Sequence, residues 1–453
     1  MRRILWFRRD LRSEDHPLLS LEGEILPIFI FDPNILEGLP AGDRRVAFIF
    51  QTLLRVKREL RKNGRDIALF YGDPKEVFGW ILARQPFEEV CASGDYDSYA
   101  LERDRTVSHL LPFRSLRDTY LFGPDEVLKP DGSPYLVFTP YYNRAKALFT
   151  PAHMETYTPK PQKLIDWNYD AILKIRGDSA QVLPLSPESI GFSEISEPAP
   201  PPVPHEKLAR FDLASYQSMR DFPSLDGTSG LGIELRFGTI SIRQVLRWLK
   251  EQKQQGITTE PFFRELMFRE FYAMLLYYFP RLATENFRYR FYGIDDPERY
   301  EAFCEARTGV PIVDAGIRQL LETGEMHNRV RMIAASFFTK NLLLPWHRGE
   351  AFFARFLNDY DAASNILSWQ WSAGTGVDPQ PYFRIFNPWL QAKKFDRDGD
   401  YIRRWLPQLR HLPSSLLHDE TYHQRNEIPG YPRPIVDHRR SSQAALEYFK
   451  SLL

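Results

Sequence analysis

Between Glu325 and Trp389 the chain sets charged and amide side chains inside long apolar and aromatic runs, and this restricts the fold more than any other feature. The stretch carries Met326-His327-Asn328-Arg329-Val330-Arg331-Met332, then Ala334-Ala335-Ser336-Phe337-Phe338 and Pro345-Trp346. It continues through Asn358-Asp359-Tyr360-Asp361 to Asn365 and reaches Trp369-Gln370-Trp371. Ionised and amide groups are costly to bury unless each finds a partner. The pattern therefore requires a helical core in which polar groups satisfy one another or face a polar ligand held within an apolar wall. For any one residue a satisfied core position is explanation enough; the whole set points to the ligand.

Upstream, Pro261 to Phe279 is apolar all round, as a buried helix is, and Pro280 ends it. From Glu206 onward the periodicity is helical. The N-terminal part reads differently. Ile4–Phe7, Ile25–Phe31, Ile67–Tyr71 and Val90–Ala92 are short apolar runs bounded by charge, Gly or Pro, and helical patterns cover Asp43–Lys62 and Pro74–Ala83 between them. Such alternation gives a parallel sheet with helices on both faces. No Gly-x-Gly-x-x-Gly follows the first strand, so the usual dinucleotide fingerprint is absent there. After Pro124 the character changes again, and the Pro198–Pro204 run favours an extended connector. The expected organisation is an α/β domain with a Rossmann-like parallel sheet over 1–123, an inter-domain linker over 124–205 and an all-α domain over 206–453.

Charge and cysteine narrow the chemistry. Lys+Arg and Asp+Glu both number 59 in 453 residues, so a nucleic-acid contact has to come from a local basic surface. Cys91 and Cys304 are the only cysteines, which argues for a reducing, cytoplasmic setting and excludes an iron–sulfur cluster on four of the chain's own thiolates. No metal-ligand set is expected. Neither a signal peptide nor a membrane span is legible.

Four motifs carry a resemblance: Trp6-Phe7-Arg8-Arg9-Asp10-Leu11-Arg12, Gly309-Val-Pro-Ile-Val-Asp-Ala-Gly316, Phe383-Arg384-Ile-Phe-Asn-Pro388 and Trp405-Leu406-Pro407. In this order they resemble the DNA photolyase and cryptochrome family over the length of the chain, class I photolyases of cyclobutane pyrimidine dimers in particular. The resemblance implies FAD in the helical domain. Tyr216 and the loop Thr228, Ser229, Gly230, Leu231 and Gly232 match its diphosphate-binding segment, although Gly232 stands where many relatives have Ser; as a bare motif the loop is a surface turn. Arg269 matches a phosphate-region contact, and Arg331, Asp359 and Asp361 match the set around the isoalloxazine, Arg331 and Asp359 being expected to pair. Asn365 matches the amide that photolyases place at flavin N5, where plant cryptochromes have Asp.

On the lesion side the resemblance implies Glu265, Asn328, Arg329, Met332 and Trp371 around a flipped-out dimer, Asn328 also reaching the flavin; catalysis would rest on Glu265, Asn328, Met332 and Asn365. Phe262 and Phe268 stand where relatives usually have Trp. Arg384 and Arg397, with Lys393, Lys394, Arg403 and Arg404, are expected along DNA phosphates or on an ordinary solvated face. Trp369 and Trp346 match the first two members of a tryptophan relay; Gly293 occupies the outer position, leaving Tyr292 as a candidate exit. The partner implied is damaged DNA, bound by a monomer that needs no obligate protein partner. For an antenna chromophore in the N-terminal domain the stretch resembles the 8-hydroxydeazaflavin type more than the methenyltetrahydrofolate type, Tyr99-Ala100 standing where folate-binding relatives have Asn-Glu; a flavin or an empty site are the alternatives. Light-driven dimer repair is the implied activity; a cryptochrome-like blue-light receptor without repair is the alternative.

Overall fold

The computed structural model describes residues 1–193 and 204–452. Two units emerge: Met1–Ser133, Asn143–Arg210 and Gly230–Thr259 form the first, and Pro134–Tyr142, Phe211–Ser229 and Glu260–Leu453 the second. Among the described residues no helix is long and apolar enough to cross a membrane.

Eight strands form the sheet of the first unit: β1 (Arg2–Phe7), β2 (Gly23–Phe31), β3 (Ala68–Tyr71), β4 (Glu89–Ser93), β5 (Phe113–Leu116), β6 (Gln162–Leu164), β7 (Ile172–Arg176) and β8 (Ser179–Leu183). Their order is β5-β4-β1-β2-β3-β7-β8, with β6 alongside the start of β2. Every pairing is parallel except β7–β8. The period of two along β1 explains why both faces are covered. Ile4 and Trp6 join Val77, Phe78 and Ile81 of helix α2 (Pro74–Leu82), while Leu5 and Phe7 join Val46, Phe50, Leu53 and Val56 of helix α1 (Arg44–Lys62). Both helices begin on an aspartate cap, Asp43 accepting from the Arg45 amide and Asp73 from that of Lys75.

The stretch expected as a linker, 124–205, is largely folded instead. It contributes β6, β7 and β8 to the sheet and the helix Phe138–Leu148. Strands of three to five residues leave little periodicity to read; β6 and β7 pair with β2 and β3 far away in sequence, and β8, which turns back on β7, is mostly exposed. The proline-rich run lies outside the described residues up to 203; Pro204 opens the helix Pro204–Arg210.

A buried charge network follows β1. Arg12 donates to Asp118 and to the Gly238 carbonyl, and Arg243 bridges Asp118 at 2.7 Å and Asp15 at 3.1 Å. Burial alone would raise the Asp118 carboxyl, but the two guanidiniums keep it well below the ordinary carboxylate range. Beside them His16 is fully buried; its Nε2 lies 2.9 Å from the Asp10 carbonyl and its Nδ1 accepts from the Leu18 amide. One nitrogen donates and the other accepts, so the ring is neutral.

Among the helices of the second unit are α3 (Glu260–Tyr278), α4 (Pro311–Thr323), α5 (Asn328–Ser336), α6 (Trp346–Phe356) and α7 (Ala362–Ala373). Leu266, Met267, Phe271, Met274 and Leu275 bury α3, and it stops before Pro280 as expected. α7 packs against α3, α5 and α6. This α/β unit and helical unit are the architecture the sequence implied.

Burial pushes the His16 pKa down to about 4 from 6.5, with smaller opposing contributions from Asp10 and Asp118. A base whose folded pKa lies below its unfolded one favours the fold where neither state is protonated, above pH 6.5, and that stability is lost as pH falls toward 4. His16 alone is expected to withdraw about 3 kcal/mol over this interval. His327 and His423, pushed down to about 4 by burial, act in the same sense. Thermal unfolding across this pH range should show a falling midpoint, with a shallower fall in His16→Gln.

Candidate functional site

Three helices of the second unit turn one face each toward a common cavity of about 390 Å³, within the usual range of small-molecule sites of roughly 300–1,000 Å³. From α3 come Glu265, Phe268 and Tyr272; from α5, Asn328, Arg329, Arg331, Met332 and Ala335; from α7, Ser364, Asn365, Ser368, Trp369, Trp371 and Ser372. Spacings of three and four place these residues on one side of each helix. Asp359 and Asp361 enter just ahead of α7, and Phe353 and Leu357 close an apolar wall.

Most of the charges around the cavity are paired. Arg331 Nη2 meets both oxygens of Asp359, at 2.9 and 3.1 Å, and its Nε donates to the Met326 carbonyl at 2.8 Å. Arg220 and Glu265 pair at 2.8 Å, as do Arg329 and Asp221. Asp361 caps α7, accepting from the Ser364 amide and hydroxyl at 3.1 Å. Burial raises the Tyr272 hydroxyl well above its ordinary range, so it stays a neutral donor.

Asn365 is the informative exception. Its Nδ2 donates to the Glu350 carbonyl at 3.2 Å and to Glu350 Oε1 at 2.9 Å, while its Oδ1 has no partner among the described residues. The amide therefore presents an acceptor to the cavity wall on which it lies. Burial pushes the Glu350 carboxyl up, opposed by hydrogen bonds from Asn365 and Tyr360. An isoalloxazine ring has flat apolar faces and a polar edge. The Asn365 carbonyl, the Arg331–Asp359 pair and Asp361 supply the polar side, and Met332, Ala335, Phe353, Leu357 and Trp369 the apolar one. These residues fit a flavin.

Other expected residues lie elsewhere. Phe262 is buried against Phe211 and Tyr216, with ring centroids 5.2 and 5.4 Å away, and does not line the cavity. Tyr216 is likewise set back, with the Arg220 guanidinium over its ring. Arg269 lies 3.5 Å from Glu270. Thr228 and Ser229 belong to the second unit, whereas Gly230, Leu231 and Gly232 belong to the first, Gly232 opening the short helix Gly232–Phe237. Arg384 and Arg397 are exposed and have no ion-pair partner among the described residues. Trp346 is 2% exposed and Tyr292 68%. Sequence reasoning missed Arg220, Asp221 and Glu350. Glu350 approaches Asn365 only because α6 packs on α7, which no local pattern announces.

Trp369 forms the back of the cavity, its indole edge-on to Phe338 at 5.4 Å and Phe353 at 4.9 Å. Gly349 on α6 makes room for it: a Cβ there would collide with the benzo edge of Trp369. Gly349→Ala is therefore expected to displace the indole and to cost about 1–3 kcal/mol as overpacking. Intrinsic fluorescence and the thermal midpoint should both shift; an unchanged emission spectrum would reject this packing.

Comparison with known proteins agrees with this geometry. The model described as DNA photolyase matches residues 3–162, and that described as the FAD binding domain of DNA photolyase matches 262–451. The deoxyribodipyrimidine photo-lyase of Alkalihalophilus pseudofirmus is 36% identical, over 99% of this chain and 98% of its own. A class III photolyase from Agrobacterium tumefaciens superposes with a TM-score of 0.85 at 31% identity, covering 99% of this chain and 97% of its own. An archaeal photolyase from Sulfolobus tokodaii, solved with two FAD molecules, gives 0.82 at 30% identity and full coverage of both chains. With both halves matched in order and relatives aligned from end to end, the chain belongs to the DNA photolyase family.

Proposed function

We propose that this protein is a light-driven photolyase that splits cyclobutane pyrimidine dimers in DNA. The observation that carries the reading is that one cavity is lined both by the flavin-side set, Arg331, Asp359, Asp361 and Asn365, and by the lesion-side set, Glu265, Asn328, Met332 and Trp371. Reduced FAD, when bound, supplies the electron that opens the cyclobutane ring and takes it back. The chain's residues hold and orient. Asn365 Oδ1 offers the acceptor that an N–H at flavin N5 needs, and Arg331 faces the ring with its charge balanced by Asp359. Glu265, kept near by Arg220, accepts from the imide edge of an extruded pyrimidine, and Met332 and Trp371 pack against the saturated ring. Arg329, with its guanidinium over the Phe395 ring at 4.4 Å, leads from the cavity rim toward exposed Lys393, Lys394 and Arg397. Those cations and Arg384 suit a phosphate track.

In the first unit we assign the antenna as deazaflavin-type rather than folate. Tyr99 donates to the Asp32 carboxylate and Ala100 is buried, so neither offers the amide and carboxylate of a folate site. Mass spectrometry of the chromophores released on denaturation tests it.

Glu265→Ala is expected to retain FAD while losing a hydrogen bond to a charged group, worth about 1.5–3 kcal/mol, which weakens dimer recognition by roughly tenfold or more. Repair of a thymine-dimer oligonucleotide per absorbed photon reads it; full repair in this variant would make Glu265 a structural residue, and no repair by the intact protein would leave the receptor reading. Photoreduction of oxidised FAD is expected to run through Trp369 and Trp346 to Tyr292. Trp369→Phe should lose it while the chemically reduced protein still repairs dimers, and Tyr292→Phe should slow it. Normal photoreduction in Trp369→Phe would reject the relay.

A further inference from the structure

Trp346 opens α6 and is almost fully buried, and its indole Nε1 donates to Asn286 Oδ1 at 2.7 Å. Asn286 Nδ2 in turn donates to the carbonyls of Phe291 at 2.8 Å and Tyr289 at 3.2 Å. Two carbonyls face the NH₂ and an N–H faces the oxygen, so the orientation of the amide is fixed by its partners. The same loop is tied to α7: Gln370, next to Trp369, donates to the carbonyls of Leu282 and Glu285 at 2.7 and 3.0 Å. One loop thus grips the neighbourhood of both tryptophans. Gly293, a little further on, has φ of 71°, and a Cβ there would lie 2.6 Å from the Leu343 carbonyl oxygen and the Pro345 nitrogen. No side chain fits at that position, and the exposed Tyr292 precedes it.

We propose that Asn286 is a positioning residue of the electron relay, keeping the oxidised Trp346 mobile by giving its N–H an acceptor that cannot remove the proton. This rests on the relay reading above. The electron passes from Trp346 to Trp369 and on to light-excited oxidised FAD. Loss of an electron makes the indole N–H far more acidic. A carboxylate or an open water at the same point would take the proton and leave a neutral radical, which needs both a proton and an electron to refill. An amide carbonyl is too weak a base, and its NH₂ hydrogens are committed to two backbone carbonyls. The proton therefore stays on Trp346, and the vacancy is filled by an electron alone. Tyr292 supplies that electron and releases its phenolic proton to solvent; a thiol in solution then returns a hydrogen atom to the tyrosyl radical. His347, with its ring centroid 6.0 Å from that of Trp346, is not the partner of the N–H.

Transient absorption on the FAD-loaded protein, in H₂O and D₂O, distinguishes protonated from deprotonated tryptophan radicals. In Tyr292→Phe the oxidised site stops at Trp346, and the expected band is that of the protonated radical, without a solvent isotope effect on its lifetime. Asn286→Asp is expected to shift the band to the deprotonated radical, with an isotope effect on its appearance and loss of the tyrosyl signal. Asn286→Leu should lower the yield of Trp346 oxidation without that shift, whereas a merely structural residue would give Asp and Leu variants that behave alike. A deprotonated radical in Tyr292→Phe, or a protonated one in folded Asn286→Asp, overturns the proposal. Trp369→Phe separates the two failures: unchanged photoreduction there removes the relay itself and this inference with it.

Discussion

The site depends on how α7 is pinned. Asp361 caps its first turn, Gly374 ends it with φ of 83°, and the Lys340 ammonium donates to the Ala373 carbonyl at 2.7 Å. A cation on the last carbonyls satisfies groups that the helix cannot and complements its dipole. Burial pushes the Lys340 pKa down to about 7, and its other face lies against the Phe449 ring. Asn365, Trp369 and Trp371 keep their places because this one helix is fixed at both ends and, through Gln370, in between. Removing any of these ties would let three cavity-lining side chains move together.

Many of the buried charges in both units are neutralised close by. In the first unit Arg12, Arg243, Asp15 and Asp118 satisfy one another. Around the cavity the Arg331–Asp359 and Arg220–Glu265 pairs do so, and the free acceptor of Asn365 stands out against that background. A paired arginine offers hydrogen-bond donors at the cavity without an uncompensated charge, which a dry pocket would make costly. Phe262 and Phe268, both expected on the lesion side, differ in place. Phe268 lines the cavity and stacks on Phe138 with centroids 3.4 Å apart and planes 7° apart. Phe262 packs in the interior behind it.

Much of the fold is legible in the order of the residues. Alternation of short apolar runs with helical patterns set the parallel sheet, because a strand buried on both faces must be apolar at every position and its crossovers must be helices. Helical patterns began at Asp43 and Pro74, and Pro280 marked a stop. The cavity-lining residues Glu265, Asn328, Arg331, Met332, Asp359, Asp361, Asn365, Trp369 and Trp371 were reached through the family resemblance of the motifs around them, and spacing adds only which of them share a helix face.

Only the tertiary structure decided what depends on contacts between distant segments. β6, β7 and β8 are too short to carry a period, and the pairing of β6 with β2 and of β7 with β3 exists only once the sheet assembles. Glu350 meets Asn365 through helix packing, Arg220 meets Glu265 from a loop, and Asn286 meets Trp346 across sixty residues of chain. Hydrogen bonds of that kind are set by where helices cross, and a linear pattern records the face of a helix but not which neighbour it meets. For the same reason the sequence placed Phe262 with the lesion contacts, whereas its burial against Phe211 and Tyr216 follows from the local fold of the chain around it.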